Sequence, residues 1–232
     1  MACAAPLTGA WDKEGERLPN LNFVVDSAQA VSFAAAPTIA FQLRLTNAVS
    51  EQSIHSVALR CQIQIEAQRR HYTPGERHLL GDLFGEPERW SRTVRPLLWT
   101  HANVTVTEFV GSTTVSVPVP CTFDFNVAAA KYFHALDGGE VPLTFQFSGT
   151  VFYPAEDGSL QIAQIGWDQE ARFRLPAQVW HEMMDLYYPD SAWLRLQRDV
   201  FDRLYEYKRS QGVATWEEAI ERLLPNERQA AS

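Results

Sequence analysis

Basic side chains are scarce in the middle of this chain. Between Pro96 and Ala171 the only lysine or arginine is Lys131, while acids such as Glu108, Asp124, Glu140 and Asp157 run through the span. Over all 232 residues the formal net charge is −8, which favours solubility and argues against a general nucleic-acid binder. No apolar run approaches membrane-spanning length. Met1 to Pro6 offers neither a basic region nor an apolar core, so no secretory leader is read there, and a cytoplasmic setting with reduced thiols is the expectation. Cysteine is also rare: Cys3, Cys61 and Cys121 are all there are. A chain of this size buries roughly 70% of its unfolded surface without needing a disulfide or metal staple.

Catalytic signatures are missing too. No Gly-x-Ser-x-Gly elbow occurs, since Phe147-Ser148-Gly149-Thr150 lacks the first glycine. No glycine-rich phosphate loop, CxxC pair or HExxH helix is found. The six histidines, His55, His71, His78, His101, His134 and His181, are scattered singly. Cys121 with His134 or His101 is the one tempting nucleophile–base pair, and it is weak because Cys121 sits on the apolar parity of a strand. The sequence therefore nominates no catalytic residue, no cofactor site and no metal site.

What the chain does have is alternation. From Val57 to Ala67 every odd position is apolar, and every even one except Ala58 is polar. Successive strand side chains point to opposite faces, so this is one strand with a dry and a wet side. Cys61 falls on the dry side. Arg60, Gln62, Gln64 and Glu66 fall on the other, either as an open polar docking face or as buried groups in need of partners. The same parity returns at Ile39–Leu45, Val104–Val106, Val115–Val119, Cys121–Val127 and Leu143–Tyr153. Shorter candidates lie at Phe23–Val25 and Val31–Phe33. Pro118 and Pro120 favour a sheet edge or a break, and Asp157-Gly158 is a hairpin turn signal. A Cys61–Cys121 bridge is conceivable if their strands face each other, but the immunoglobulin pattern fails because the first tryptophan after Cys61 is Trp90.

Helical signals interrupt the sheet at 73–84, one or two helical turns fit Ala128 to Leu136 before Asp137-Gly138-Gly139, and further helices end it. Thr73-Pro74-Gly75-Glu76 reads as a capping box with proline in the first turn, opening a short helix over about 74–84. After Pro176 the apolar period lengthens to three or four. Val179, Trp180, Met183, Met184 and Tyr187 form one stripe. Trp193, Leu196, Val200, Leu204 and Tyr207 form a second, and Thr215 opens a third short helix. The expected organisation is a flexible tail over 1–20 with Trp11 as an anchor, an antiparallel β-sandwich over 21–175, and helices over 176–228 packed on it. The class is mainly β with a helical tail, α+β.

One segment departs from the sheet pattern and carries the interaction-prone residue types. Glu66 to Arg95 holds six arginines against five acids, with Trp90 inside it and Trp99 beyond. Arginine and tryptophan are enriched where proteins anchor partners, and arginine grips carboxylates bidentately. The proposed contacts are Arg69, Arg70, Trp90, Arg95 and Trp99. The competing reading has the tryptophans plugging the end of the sandwich while the arginines pair with Glu76, Glu86 and Glu88.

Several runs resemble a bacterial family of unknown function associated with the gene neighbourhoods of actinobacterial-type nickel–iron hydrogenases. They include Leu59-Arg60-Cys61-Gln62-Ile63-Gln64-Ile65-Glu66, Leu83-Phe84-Gly85-Glu86-Pro87-Glu88-Arg89-Trp90, Pro118-Val119-Pro120-Cys121 and Phe147-Ser148-Gly149-Thr150-Val151-Phe152. The resemblance implies a shared process with the hydrogenase and transfers no catalytic residue. The expectation is a non-enzymatic interaction protein, an accessory or assembly factor for a nickel–iron hydrogenase, with hydrogenase subunits as protein partners. The alternatives are a sandwich that binds a small ligand or peptide, and an unrecognised hydrolase. Oligomeric state and partner identity stay open at this stage.

Overall fold

The computed structural model describes residues 18–122, 127–155, 157–189, 191, 194 and 196–224. The expected tail over 1–20, with Cys3 and Trp11, lies almost wholly outside the described residues, as do Phe123 to Asn126 and Trp193. In chain order the elements are β1 (Leu21–Ala30), β2 (Thr38–Asn47), β3 (Ser53–Ile54), β4 (Ser56–Ile65), α1 (Pro74–Leu79), α2 (Gly81–Phe84), α3 (Trp90–Thr93) and β5 (Leu97–Val106). They continue with β6 (Phe109–Val110), β7 (Ser112–Pro120), α4 (Val127–His134), β8 (Glu140–Pro154), β9 (Leu160–Gln164), β10 (Glu170–Pro176), α5 (Ala177–Tyr187), α6 (Arg198–Ser210) and α7 (Trp216–Leu223). The chain forms two compact units, 1–190 and 191–232.

The first unit is mainly β, and its sheets are antiparallel and not closed into a barrel. One sheet runs β1-β2-β7. The other runs β10-β8-β4-β5, with β9 also paired to β8, and β3 and β6 make a small separate ladder. The two larger sheets meet through aromatic rings. Phe23 on β1 stacks on Phe147 of β8 at 4.2 Å, and Phe41 on β2 sets its ring edgewise to Phe145 at 5.1 Å and to Trp99 at 6.0 Å. Such pairs add about 1 kcal/mol each beyond their buried area. The helix α5 packs on β1, β2 and β10 and belongs to this unit.

β4 shows why alternation is informative. Val57, Leu59, Cys61, Ile63 and Ile65 are buried, while Ala58 and Arg60 are exposed and Gln62 and Gln64 half-buried. The strand is central, paired to β5 on one side and β8 on the other. β7 is an edge strand, bonded only to β2 within its sheet, so Pro118 and Pro120 sit where a missing donor is cheapest. Cys61 and Cys121 are both buried and free, so the conceivable bridge is not made.

Two sequence expectations are corrected. Val31–Phe33 is not a strand but the start of the β1–β2 loop. Phe33 takes a left-handed φ of 61° there, which no strand accommodates. The loop is closed by Val31 N donating to Thr38 O, and the Tyr187 hydroxyl accepts from Ala34 N at 2.7 Å. Val127, expected at the end of a strand, instead opens α4, which takes up most of the helical turns read over Ala128 to Leu136.

Candidate functional site

Of the five residues proposed from sequence, three are inside the protein. Arg70 Nη2 pairs with Glu76 at 2.8 Å, its side chain only 9% exposed, and the same nitrogen donates to the Gly138 carbonyl. Trp90 is buried, its indole N–H donating to Gly85 O at 2.8 Å, and its ring packs edgewise on Tyr72 and Phe84. Trp99 is buried against Phe41 and Phe133. Arg70 and Trp90 are spent on holding the 67–95 segment together and to the turn before β8, and Trp99 is part of the core beneath β5. Arg69 and Arg95 remain exposed. Glu76 is the one acid among the expected arginine partners that the fold uses in this way.

Around Arg70 lies a dense polar knot. Glu76 accepts from Arg70, from Thr73 N at 2.9 Å and from Asp137 N at 3.2 Å, while Thr73 Oγ1 accepts from Glu76 N, completing the capping box. Burial pushes the Glu76 carboxyl up, but the Arg70 bond and the two backbone N–H groups outweigh it and hold the carboxyl below its usual range. The Tyr72 and Tyr132 hydroxyls lie 2.9 Å apart, and burial raises both phenols. Apart from Arg70 Nη1, which has no hydrogen-bond partner, the knot is bonded within itself and to backbone, joining α1, α4 and the 137–140 turn.

The nucleophile candidates are inert. Burial pushes the Cys61 and Cys121 thiols up to about 12, and the Cys121 thiol donates to Val119 O at 3.3 Å. His134 is exposed, and His101 meets Gln62 on the outer side of the sheet. Among the described residues no three His, Cys, Asp or Glu side chains gather as a metal site.

The arrangement with binding capacity is the outer face of the five-stranded sheet, the wet side of β4. It is open. Gln62 Nε2 donates to Gln146 Oε1 at 2.9 Å, and Gln62 Oε1 meets His101 Nε2 at 3.1 Å, so one polar ladder crosses β5, β4 and β8. At the end of that face Glu66 is nearly buried, accepting from Thr144 Oγ1 at 2.9 Å and Gln68 Nε2 at 2.6 Å. It sits in a groove of about 380 Å³ lined also by Arg69, Arg172, Arg174 and Phe173. The register explains the gathering. Thr144 stands opposite both Gln64 and Arg172, so β4, β8 and β10 deliver their outward residues to one strip. Arg69 reaches Glu66 at 3.4 Å, Arg172 reaches Glu170 at 3.0 Å and Arg174 reaches Glu140 at 3.6 Å. Three guanidinium groups and one carboxylate stand on its walls, and each guanidinium group is paired with a glutamate. Arg69 and the wet face of β4 are legible from sequence; Arg172 and Arg174 are not among the contacts expected there, although their alternation with Ala171, Phe173 and Leu175 marks them as outward-facing.

A mainly β protein with a charged, open sheet face and buried thiols is the class that fold and site define. Within it, the chain belongs to the family of unknown function DUF6084, whose model matches residues 18–232. No curated protein matches the chain. Among solved structures it is similar to a β-glucosidase from Kluyveromyces marxianus at 9% identity and a TM-score of 0.26, covering 69% of this chain and 15% of that one. It is also similar to β-glucosidase 3B from Thermotoga neapolitana at 11% identity and a TM-score of 0.25, covering 69% and 17%. A protein described as late embryogenesis abundant matches at 14% identity and a TM-score of 0.31, covering 68% and 73%. The chain thus spans less than a fifth of either glucosidase, and likenesses this loose carry no functional argument.

Proposed function

We propose that this chain is a non-enzymatic interaction protein, built on an antiparallel β-sandwich, whose outer five-stranded face docks an acidic segment of a protein partner. One observation carries the reading: Arg69, Arg172 and Arg174 line a single groove beside the polar ladder of an uncovered sheet. Guanidinium groups bind carboxylates through paired hydrogen bonds, and the exposed ion pairs that hold Arg172 and Arg174 now are weak enough to be exchanged for a partner's carboxylates. The buried thiols and the internally spent polar knot add support by leaving little for acid–base or nucleophilic chemistry.

The resemblance to proteins from hydrogenase gene neighbourhoods puts the subunits of a nickel–iron hydrogenase first as partner, with the chain acting in the cytoplasm as an accessory or assembly factor. Co-purification with tagged hydrogenase subunits tests this. The wild-type chain is expected to be retained, and the Arg172→Glu/Arg174→Glu double variant to lose at least about tenfold in affinity through like-charge contact. Retention of the double variant at wild-type affinity removes the groove from the reading. Full hydrogenase assembly in a deletion strain, with no co-purification, removes the hydrogenase.

A further inference from the structure

Taken by itself, the second unit does not cover its own apolar face. α6 buries no residue fully, and α7 buries only Ala219. Phe201, Tyr205 and Trp216 cluster, with Phe201 and Trp216 ring centroids 5.4 Å apart, yet Phe201 remains 45% exposed. Leu196, Phe201, Leu204, Trp216 and Ile220 line an open groove of about 800 Å³. Two short helices cannot enclose a core on their own; such pairs gain one by meeting two more helices in a bundle.

We propose that the occupant is the same helical pair of a second copy of this chain, making 191–224 a homodimerisation module. Two features of charge favour a copy over a foreign helix. Residues 191–232 carry seven bases and seven acids, so the whole surplus of −8 resides in 1–190. Copies of an acidic chain therefore meet at least electrostatic cost through this neutral unit. In addition, the groove is flanked by one cation, Arg198, and one anion, Asp202. The ion pairs of the unit, Arg209–Glu206 and Arg222–Glu218, leave both unmatched among the described residues. In an isologous contact a residue i meets j while j meets i. A twofold mate thus supplies Asp202 to Arg198 and Arg198 to Asp202 around a shared apolar centre.

Sedimentation of the full chain from micromolar to millimolar concentration tests this, with the expected species weighing twice 26.2 kDa. Arg198→Asp alone and Asp202→Arg alone each place like charges across the interface and should weaken the dimer roughly tenfold. The double exchange Arg198→Asp/Asp202→Arg restores opposite pairs and should recover wild-type association. An aspartate in the first turn of α6 suits the helix dipole, so the Arg198→Asp single variant is not expected to weaken through loss of helix. A monomer at every concentration overturns the proposal. So does a dimer that the single variants leave unchanged, or one that the double exchange fails to restore.

Discussion

At the scale of single residues, the energetic centre of the 67–99 excursion is the Arg70–Glu76 pair, not the surface that its arginines suggested. Both partners are almost fully buried, and one guanidinium nitrogen, Arg70 Nη1, has no hydrogen-bond partner. A buried pair contributes little net stability as a unit, but removing one member strands the other charge. Glu76→Gln is therefore expected to lower unfolding free energy by about 3 kcal/mol at neutral pH, measured by urea titration. A same-shape apolar replacement of both residues should cost much less. The pH dependence has a definite sign. Since the folded Glu76 carboxyl is held below its ordinary range, its contribution is present above the unfolded value of about 4.3 and is lost as pH falls through the folded value. The gap between wild type and Glu76→Gln should then close below about pH 4. A gap that persists unchanged in acid would show that the carboxylate charge is not what the pair contributes. Sequence reasoning set out both roles for Arg70, surface contact and partner of Glu76. Only the fold decides between them, because the 137–140 turn that encloses the pair arrives from a distant part of the chain.

Among the elements, β8 does the most organising. Its first half, Glu140 to Gln146, pairs with β10, and its last residues, Thr150 to Pro154, pair with β9, while β4 runs along its other side. Gly149 lies at the change of partner with a φ of 146°, and a Cβ there would overlap the Ala58 carbonyl oxygen of β4. Gly149→Val should therefore destabilise the first unit by about 3 kcal/mol, with Gly149→Ala milder, as read from thermal midpoints. Wild-type stability of the valine variant would mean that β4 yields freely at Ala58. The alternation of Leu143 to Tyr153 announced this strand, just as the Val57–Ala67 run announced β4. Neither announced the pairings, because register depends on partners tens of residues away. The capping box at Thr73 was legible for the opposite reason, since all of its bonds close within four residues. The arginine groove falls between these cases. Parity pointed Arg172 and Arg174 outward, but only the register of three strands sets them beside Glu66 and Thr144.

Over the whole molecule, stability is distributed unevenly between the two units. The first has a continuous core from Leu21 to Met183, while the second buries only Val213 and Ala219 among its described residues. Local opening free energies follow buried apolar contact, ranging from near zero in frayed segments to the global value in core strands. Backbone amides of α6 and α7 should therefore exchange with solvent much faster than those of β4 and β8 in dilute protein. The same asymmetry makes exchange a sensitive reporter of association, because covering an apolar helix face stabilises whatever it covers by mass action. If a second copy fills the groove, protection of Phe201 to Leu204 and of Trp216 to Ile220 should rise with protein concentration, while the amides of β4 and β8 stay unchanged. Arg198→Asp should shift that rise to higher concentration, and the double exchange should return it. Exchange in α6 and α7 that is slow at every concentration would instead mean that these helices are held within a single chain, and that their open groove is not where copies meet.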